Sequence, residues 1–140
     1  MAPWILYAII SMIFAGLTAV LAKYGLQNIN ADLGLGIRTT AIFIIITVFN
    51  LIGNKYKDIG ALSLFQLGLL IASAIATTVS WVCYYRAMKE GLVSYVAAID
   101  KGSIVITLLF SFLLLKEPLT SKVIIGSLLI LAGMIVLVWK

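Results

Sequence analysis

Residues 104–139, IVITLLFSFLLLKEPLTSKVIIGSLLILAGMIVLVW, decide the fold, because two long apolar runs flank one short polar segment at residues 116–121. Proline lacks a backbone N–H and cannot continue a helix, so Pro118 marks the end of the first run as a helix. The hydroxyl of Thr120 or Ser121 can cap the start of the next helix. Because the connection is so short, the sequence predicts two neighbouring antiparallel helices.

Three further apolar runs precede this pair, and all five have the length of a membrane span. The predicted spans are residues 3–22, 33–52, 63–85, 93–115 and 122–139. A helix of about 20 residues crosses a hydrocarbon core of about 30 Å. No basic residue precedes the first span, so we expect a retained helix there and not a cleaved signal peptide. The prediction is an all-α integral membrane bundle of five transmembrane helices, one domain over residues 1–140, multi-pass in the cytoplasmic membrane.

The composition excludes most soluble functions. Hydrophobic residues make up 64% of the chain and charged residues 11%, against about 45–50% and about 25% in soluble domains. There is no His and one Cys, which removes the imidazole base, an intramolecular disulfide and a thiolate metal cluster. No nucleophile has a basic partner, so we expect no enzyme, no cofactor and no bound metal. The basic residues are dispersed, which fits the lipid bilayer as a partner better than nucleic acid.

Polar side chains in the third and fourth spans recur at helical spacing and therefore share one face of each helix. In the third span they are Ser73, Thr77, Ser80 and Tyr84, extended by Trp81 and Tyr85. In the fourth span they are Asp100, Ser103, Thr107 and Ser111. Two interpretations remain open: hydrogen bonds that hold helices together in lipid, or a polar path shared by the two helices.

Three charges lie inside the spans, and each needs protein or water around it. A charged side chain against lipid costs about 2.5–3.5 kcal/mol on insertion scales. Neighbours in a helix point about 100° apart, so we expect Asp100 and Lys101 not to pair well with each other. Arg38 and Asp100 enter from the same leaflet, which predicts an ion pair between them. That pair is either a fixed packing element or part of a solute or ion site near the midplane.

The basic residues are balanced between the two sides of the membrane. On the side of the N-terminus they are Lys55, Lys57, Lys116 and Lys122, and on the other side they are Lys23, Arg86, Lys89 and Lys140, with Arg38 as a fifth. The positive-inside rule needs an imbalance to set one orientation. Either one orientation prevails through other features, or both are inserted and form an antiparallel dimer.

Several loosely defined motifs are spread along the chain. They are YYRAMKEG at residues 84–91, LKEPLT at residues 115–120, Gly126, LAG at residues 131–133, Arg38, and IDK at residues 99–101 with Ser103. Over essentially its whole length the sequence resembles the EamA-type domain of the drug/metabolite transporter superfamily, in its short single-repeat form. That family often has Pro where Ala98 stands and Gly where Lys116 stands. Without the Pro, a kink in the fourth helix is not expected.

Full-length members of that family resemble two such domains fused in inverted orientation, with the solute cavity between the halves. The resemblance implies half of an inverted-repeat transporter. Since no ATP-binding loop is present, we expect a half-size secondary transporter that moves a small solute or metabolite across the cytoplasmic membrane as a dimer. The expected partner is a second copy of the chain, antiparallel to the first, or a paired five-span homologue.

The residues predicted for the solute or ion path are Arg38, Trp81, Tyr85, Asp100 and Lys101. Asp100 would take a proton or a cationic group, Arg38 would balance its charge, and the aromatic rings would line the path. Two alternatives remain open. One is a non-transporting membrane subunit of a larger complex, and the other is a component of a lipid or lipid-carrier flippase.

Overall fold

The computed structural model of the chain describes residues 2–139, which form helices and connections with no strand in that range. The helices are α1 (Pro3–Gly25), α2 (Ala31–Ile52), a 3₁₀ helix (Lys55–Ala61), α3 (Leu64–Glu90), α4 (Val93–Asp100), α5 (Ser103–Leu115) and α6 (Ser121–Val138). Taking α4 and α5 as one segment, five helical segments are long and apolar enough to cross a membrane. The predicted all-α class with five membrane spans is therefore confirmed.

Side-chain caps define where three of the helices begin. The Asn30 side chain accepts from the backbone N–H of Asp32 at 2.8 Å and starts α2. Ser63 and Gln66 bond reciprocally before α3: the Gln66 N–H donates to Ser63 Oγ at 3.2 Å, and the Ser63 N–H donates to Gln66 Oε1 at 2.9 Å. This is the capping-box arrangement. Of the two residues that the sequence offers, Thr120 caps α6 by accepting from the N–H of Val123, and Ser121 is the first residue of the helix.

The third span is longer than predicted, because α3 continues five residues beyond Tyr85 to Glu90. Hydrophobicity falls at Arg86, but the residues that follow favour helix until Gly91. The sequence placed Arg86 in a connection, whereas the structure places it in the last turns of a helix. Its side chain consequently projects from a helix face and can contact a neighbouring helix.

The fourth span is not one continuous helix. Between α4 and α5 the N–H of Lys101 donates to Ala98 O at 3.1 Å, and the N–H of Gly102 donates to Ile99 O at 2.9 Å. Bonds to the third residue back are the pattern of a 3₁₀ turn. The turn follows directly after Asp100, one of the predicted path residues. The turn lies inside the predicted fourth span, whose bounds at residues 93 and 115 match the structure, and it forms without a proline.

Glycine at the turn permits the close approach of α6. A Cβ atom at Gly102 would lie 3.0 Å from Ile99 O and 3.1 Å from Met134 Sδ, both tighter than ordinary contacts. No other residue type would leave both neighbours where they are. We call Asp100, Lys101 and Gly102 the charged turn.

The described chain divides into two compact units, one formed by Leu21–Lys89 and the other by the segments on either side of it. Few side chains are buried, and most large apolar side chains are exposed, as expected where lipid is the solvent. Within Leu21–Lys89 the buried residues are Leu26, Ala31, Leu35, Tyr85 and Met88. Lys140, which enters the predicted charge balance, and the ends of the predicted domain at residues 1 and 140 lie outside the described residues. The single-domain prediction stays a prediction.

Candidate solute path

Two lysines tie together the C-terminal ends of α1 and α3 within the unit Leu21–Lys89. Lys23 Nζ, from the last turn of α1, donates to Met88 O at 2.6 Å and to Lys89 O at 3.3 Å. Lys89 Nζ, from the last turn of α3, donates to Leu26 O at 2.7 Å, just past the end of α1. Cations favour the carbonyl end of a helix because the last carbonyls have no intrahelical partner. Each lysine therefore caps the end of the other helix.

An ion pair joins α2 to the same end of α3. Arg86 Nε donates to Asp32 Oδ1 and Arg86 Nη2 to Asp32 Oδ2, each at 2.9 Å. The pair is exposed, so its contribution to stability is small, but the bidentate geometry sets the position of the first turn of α2. Met88 is 0% exposed and lies at the same level of α3. We call Lys23, Asp32, Arg86, Met88 and Lys89 the clasp.

Six residues after Asp32 of the clasp, Arg38 of α2 faces two aromatic rings of α3. Its Cζ atom lies 4.7 Å from the ring centroid of Trp81 and 5.7 Å from that of Tyr85. A guanidinium within about 6 Å of a ring centroid is attracted by the ring quadrupole. Tyr85 is buried, and Arg38 is half-buried. Three of the five predicted path residues are thus brought together in one unit.

A cavity lies next to this cluster, between α2 and α3. It has a volume of about 390 Å³, within the roughly 300–1,000 Å³ that small-molecule sites occupy. Its lining residues are Leu35, Thr39, Leu70, Ser73, Ala74, Thr77, Thr78 and Trp81. Trp81 lines the cavity and also makes the cation–π contact with Arg38, so the guanidinium lies close to the cavity. Ser73 and Thr77 of the predicted polar stripe also lie on it. Ser80 and Tyr84 are not among the lining residues.

Three of the four hydroxyl side chains that line this cavity donate to the backbone of their own helices. Thr39 donates to Leu35 O at 2.8 Å, and Thr77 and Thr78 donate to Ser73 O and Ala74 O, each at 2.9 Å. A hydroxyl group has one proton, and in all three residues that proton points at the helix backbone. What the three oxygens can still offer is lone pairs. The wall is therefore largely apolar, and its polar groups are these three hydrogen-bond acceptors and the Ser73 hydroxyl.

In the other unit, Asp100 and Lys101 meet at the charged turn. Lys101 Nζ lies 3.9 Å from Asp100 Oδ2, and the two side chains are 65% and 43% exposed, respectively. The contact is long and exposed, in line with the expectation that these neighbours do not pair well, and the flexible lysine stem makes it possible. Arg38 and Asp100 belong to different units, and the predicted pair between them stays a prediction.

The remaining polar residues of the fourth span have different surroundings. Ser111 Oγ donates to Glu117 Oε2 at 2.8 Å, so this hydroxyl belongs to the connection before α6. Ser103 is the first residue of α5, and both Ser103 and Thr107 are exposed. A second cavity of about 300 Å³ lies in this unit, lined by Ile99, Met134, Ile135, Val138 and Trp139, and carries no charged side chain.

Sequence reasoning missed the clasp. It counted Lys23, Arg86 and Lys89 only as charges on one side of the membrane. The available signals were a lysine in the last turn of two helices and Asp32 in the first turn of a third. The partners, however, lie 54 to 66 residues apart in the chain, and no local pattern relates them.

These observations define the class of protein: a multi-pass helical membrane protein in which a cavity lined by apolar and hydroxyl side chains lies beside an arginine that contacts two aromatic rings. The model of the EamA-like transporter family matches residues 2–139. The chain belongs to the EamA-like transporter family, and membership of a transporter family implies a protein that is not an enzyme. The resemblance noted in the sequence is thereby confirmed.

A relative of the same size supports this assignment. A Sinorhizobium protein named "Uncharacterized transporter in cobO 3'region" is 36% identical over 134 residues, which cover 96% of this chain and 95% of the relative. No solved structure matches the chain.

Proposed function

We propose that the chain is a half-size secondary transporter, in which two five-span copies move a small solute across the cytoplasmic membrane. One observation carries the proposal: a guanidinium held on two aromatic rings beside a cavity of about 390 Å³, inside membrane-spanning helices. Intramembrane charges are expensive, and where they border a polar cavity they mark a substrate or ion pathway. A same-sized relative named as a transporter supports the half-size unit.

The exposed polar groups of the fourth span favour a partner subunit. Asp100 and Lys101 are 43% and 65% exposed in a span that crosses the membrane, and contact with lipid would cost about 2.5–3.5 kcal/mol for each charge. A second copy, or water held between two copies, would surround these groups. A Cβ atom at Gly126 or Gly133 of α6 would meet nothing within 4 Å. That open, small-residue face suits close packing against another helix.

The partner in this proposal is a second copy inserted in the opposite orientation. The basic residues that flank the spans are balanced, so the charge bias that normally sets orientation is weak. Reporter fusions at the C-terminus should therefore show both locations. Adding two lysines to the connection at residues 53–58 should shift most of the population to one. A single orientation that survives this addition excludes the antiparallel homodimer.

The dimer interface is tested at α6. Gly126→Leu and Gly133→Leu should each reduce the dimer fraction in mild detergent, because a bulky side chain prevents close approach. Gly16→Leu is the matched control, since a Cβ atom at Gly16 of α1 also meets nothing within 4 Å. An unchanged dimer fraction in both α6 variants would assign the interface to another surface.

The transport role is tested at Asp100. Asp100→Asn is nearly isosteric, so the protein and the dimer should remain folded while flux falls to the background of empty vesicles. The measurement is uptake into proteoliposomes that contain equal amounts of folded wild type or variant, with a panel of labelled amino acids, organic acids, polyols and quaternary amines. The double variant Arg38→Met with Asp100→Leu should not restore flux.

Two outcomes would reject this role. Wild-type flux in Asp100→Asn shows that the carboxylate takes no part in transport. The second outcome is that Arg38→Met and Asp100→Leu each fail to fold, while the double variant recovers both folding and flux. That result shows an ion pair that serves only packing. Removing one partner of a buried pair costs about 3–5 kcal/mol, whereas replacing both partners does not. Absence of flux for every solute in well-folded wild type favours the non-transporting subunit.

A further inference from the structure

The partners of Arg38 leave its strongest binding capacity unused. Within Leu21–Lys89 the described contacts of its guanidinium are the rings of Trp81 and Tyr85, and no carboxylate of that unit pairs with it. Aromatic rings attract the positive charge, but unlike a carboxylate they do not accept strong hydrogen bonds from the N–H groups. Guanidinium carries five N–H donors in a planar fork that matches carboxylate and phosphate oxygens. The rings hold the cation in place, and the fork is left for a ligand.

Arg38 does not line the cavity itself, but its neighbours on α2 and its ring partner on α3 do. Leu35 and Thr39 line the cavity and lie three residues before and one residue after Arg38 on α2. On α3, Trp81 lines the cavity and also carries the guanidinium. A solute that fills the cavity would therefore end within reach of the Arg38 side chain.

The cavity wall indicates which groups the ligand should carry besides its anionic group. The hydroxyl protons of Thr39, Thr77 and Thr78 are already donated to their own helices. Their oxygens can only accept, so a ligand that satisfies them must bring its own O–H or N–H donors. A purely apolar anion would leave those oxygens without a partner.

We infer that the cavity between α2 and α3 binds a small organic anion, with a carboxylate or phosphate group on the Arg38 guanidinium and hydroxyl donors facing Thr39, Thr77 and Thr78. This inference rests on the proposed function and names the substrate class of the same site. The phosphate could be carried by a free solute or by a lipid headgroup, and the two sources share the chemistry that Arg38 recognises. Among the described residues of Leu21–Lys89, the charged side chain beside the cavity is Arg38, which attracts an anion and repels a cation.

Trp81 provides a direct readout. In a Trp4→Phe, Trp139→Phe background it is the sole tryptophan, and it contacts both the cavity and Arg38. Its fluorescence is followed in phosphatidylcholine nanodiscs during titration with four probes of one carbon skeleton: glycerate, glycerol 3-phosphate, neutral glycerol and cationic serinol. Separate nanodiscs that contain phosphatidic acid test the lipid source.

Saturable fluorescence changes are expected with glycerate or glycerol 3-phosphate and not with glycerol or serinol. Arg38→Gln should weaken anion binding about tenfold to a hundredfold, the usual worth of a charge-assisted pair. Arg38→Lys should lose less, because it keeps the charge without the fork. Lys57→Gln removes a basic residue from the connection and should bind as the parent does. Circular dichroism and dimer fraction confirm that each variant is folded.

Each remaining outcome decides the matter. A change seen only with phosphatidic acid, and lost in Arg38→Gln, supports the site and assigns the anion to a lipid. Equal binding of glycerol or serinol, equal binding by Arg38→Gln, or no response of folded parent protein to any anion overturns the inference. Anion binding without flux in proteoliposomes would instead reject the transport role and leave the binding site standing.

Discussion

The clasp and the charged turn both place basic and acidic groups in one small region, yet their geometry differs. In the clasp, Arg86 and Asp32 form two hydrogen bonds of 2.9 Å, and two lysine ammonium groups bind backbone carbonyls. In the charged turn, Lys101 and Asp100 approach to only 3.9 Å. A charged group whose hydrogen bonds are all made holds the structure in place. A charged group with only a long contact can still form hydrogen bonds with another partner.

The surroundings of each region also indicate a structural role for the clasp and a functional role for the charged turn. The clasp lies at helix ends around the fully buried Met88. The charged turn interrupts a span, and 3₁₀ turns inside helices often mark hinges. We therefore expect substitutions in the clasp to act mainly on stability and substitutions at the charged turn to act mainly on transport.

The largest expected effect on stability is at Met88. Met88→Ala removes a fully buried side chain and should lower the free energy of unfolding by about 2–5 kcal/mol. The measurement is reversible unfolding in bicelles by added SDS. Met12→Ala is the control, because Met12 is 66% exposed and its change should stay within about 0.5 kcal/mol. Similar values for the two variants would show that the clasp does not pack around Met88.

Removal of one clasp lysine should have the next largest effect. Lys23→Met keeps the length of the side chain but removes the donor to Met88 O and Lys89 O. Hydrogen bonds from charged groups contribute about 1.5–3 kcal/mol, and the same SDS unfolding assay should show a loss of that size. Lys57→Met, in the 3₁₀ helix, should leave stability unchanged. A loss in both variants would trace the effect to net charge and not to capping.

A substitution at the charged turn should reduce flux more than it reduces stability, in contrast to substitutions in the clasp. Gly102→Ala places a Cβ atom 3.0 Å from Ile99 O, so it should cost about 1–3 kcal/mol as overpacking does, and flux should fall further than stability explains. Gly68→Ala in α3 has open space around its Cβ position and should be neutral or stabilise by about 0.4–1 kcal/mol. Full flux in a folded Gly102→Ala protein would remove the turn from the transport cycle.

The smallest expected effect is a gain at the end of α5. Lys116 has φ of 56°, a left-handed conformation that closes the helix and that glycine adopts at no steric cost. Lys116→Gly should raise the free energy of unfolding by about 0.5–1 kcal/mol, because the left-handed backbone costs an L-residue about 1–2 kcal/mol and the greater entropy of glycine in the unfolded chain offsets part of that. Asn54→Gly, at φ of 56°, should give a smaller gain because asparagine tolerates this region. Destabilisation by Lys116→Gly would mean that its ammonium group makes a contact that outweighs the strain.

Local sequence was sufficient for the spans, because membrane helices satisfy their own backbone and need only length and apolarity. Thr120 and Pro118 mark the connection before α6 without any knowledge of neighbours. The spacing of Trp81 and Tyr85 placed both rings on one face, and Arg38 was assigned to the same path. Lys116 was noted as standing where the family often has Gly, and the left-handed backbone there gives the physical reason for that preference.

The tertiary structure decided the contacts between residues far apart in the chain. Lys23 meets Met88 across 65 positions, and nothing in either local pattern specifies such a pairing. The break in the fourth span depends on the fit of Gly102 against Met134 of α6, so a search for proline could not find it. Arg38 was recognisable as an intramembrane charge, but only the packing of α2 on α3 placed it on Trp81 beside a cavity. Hydrophobic pattern determines where helices lie along a chain, whereas partner choice for a charge depends on geometry that forms only when helices pack.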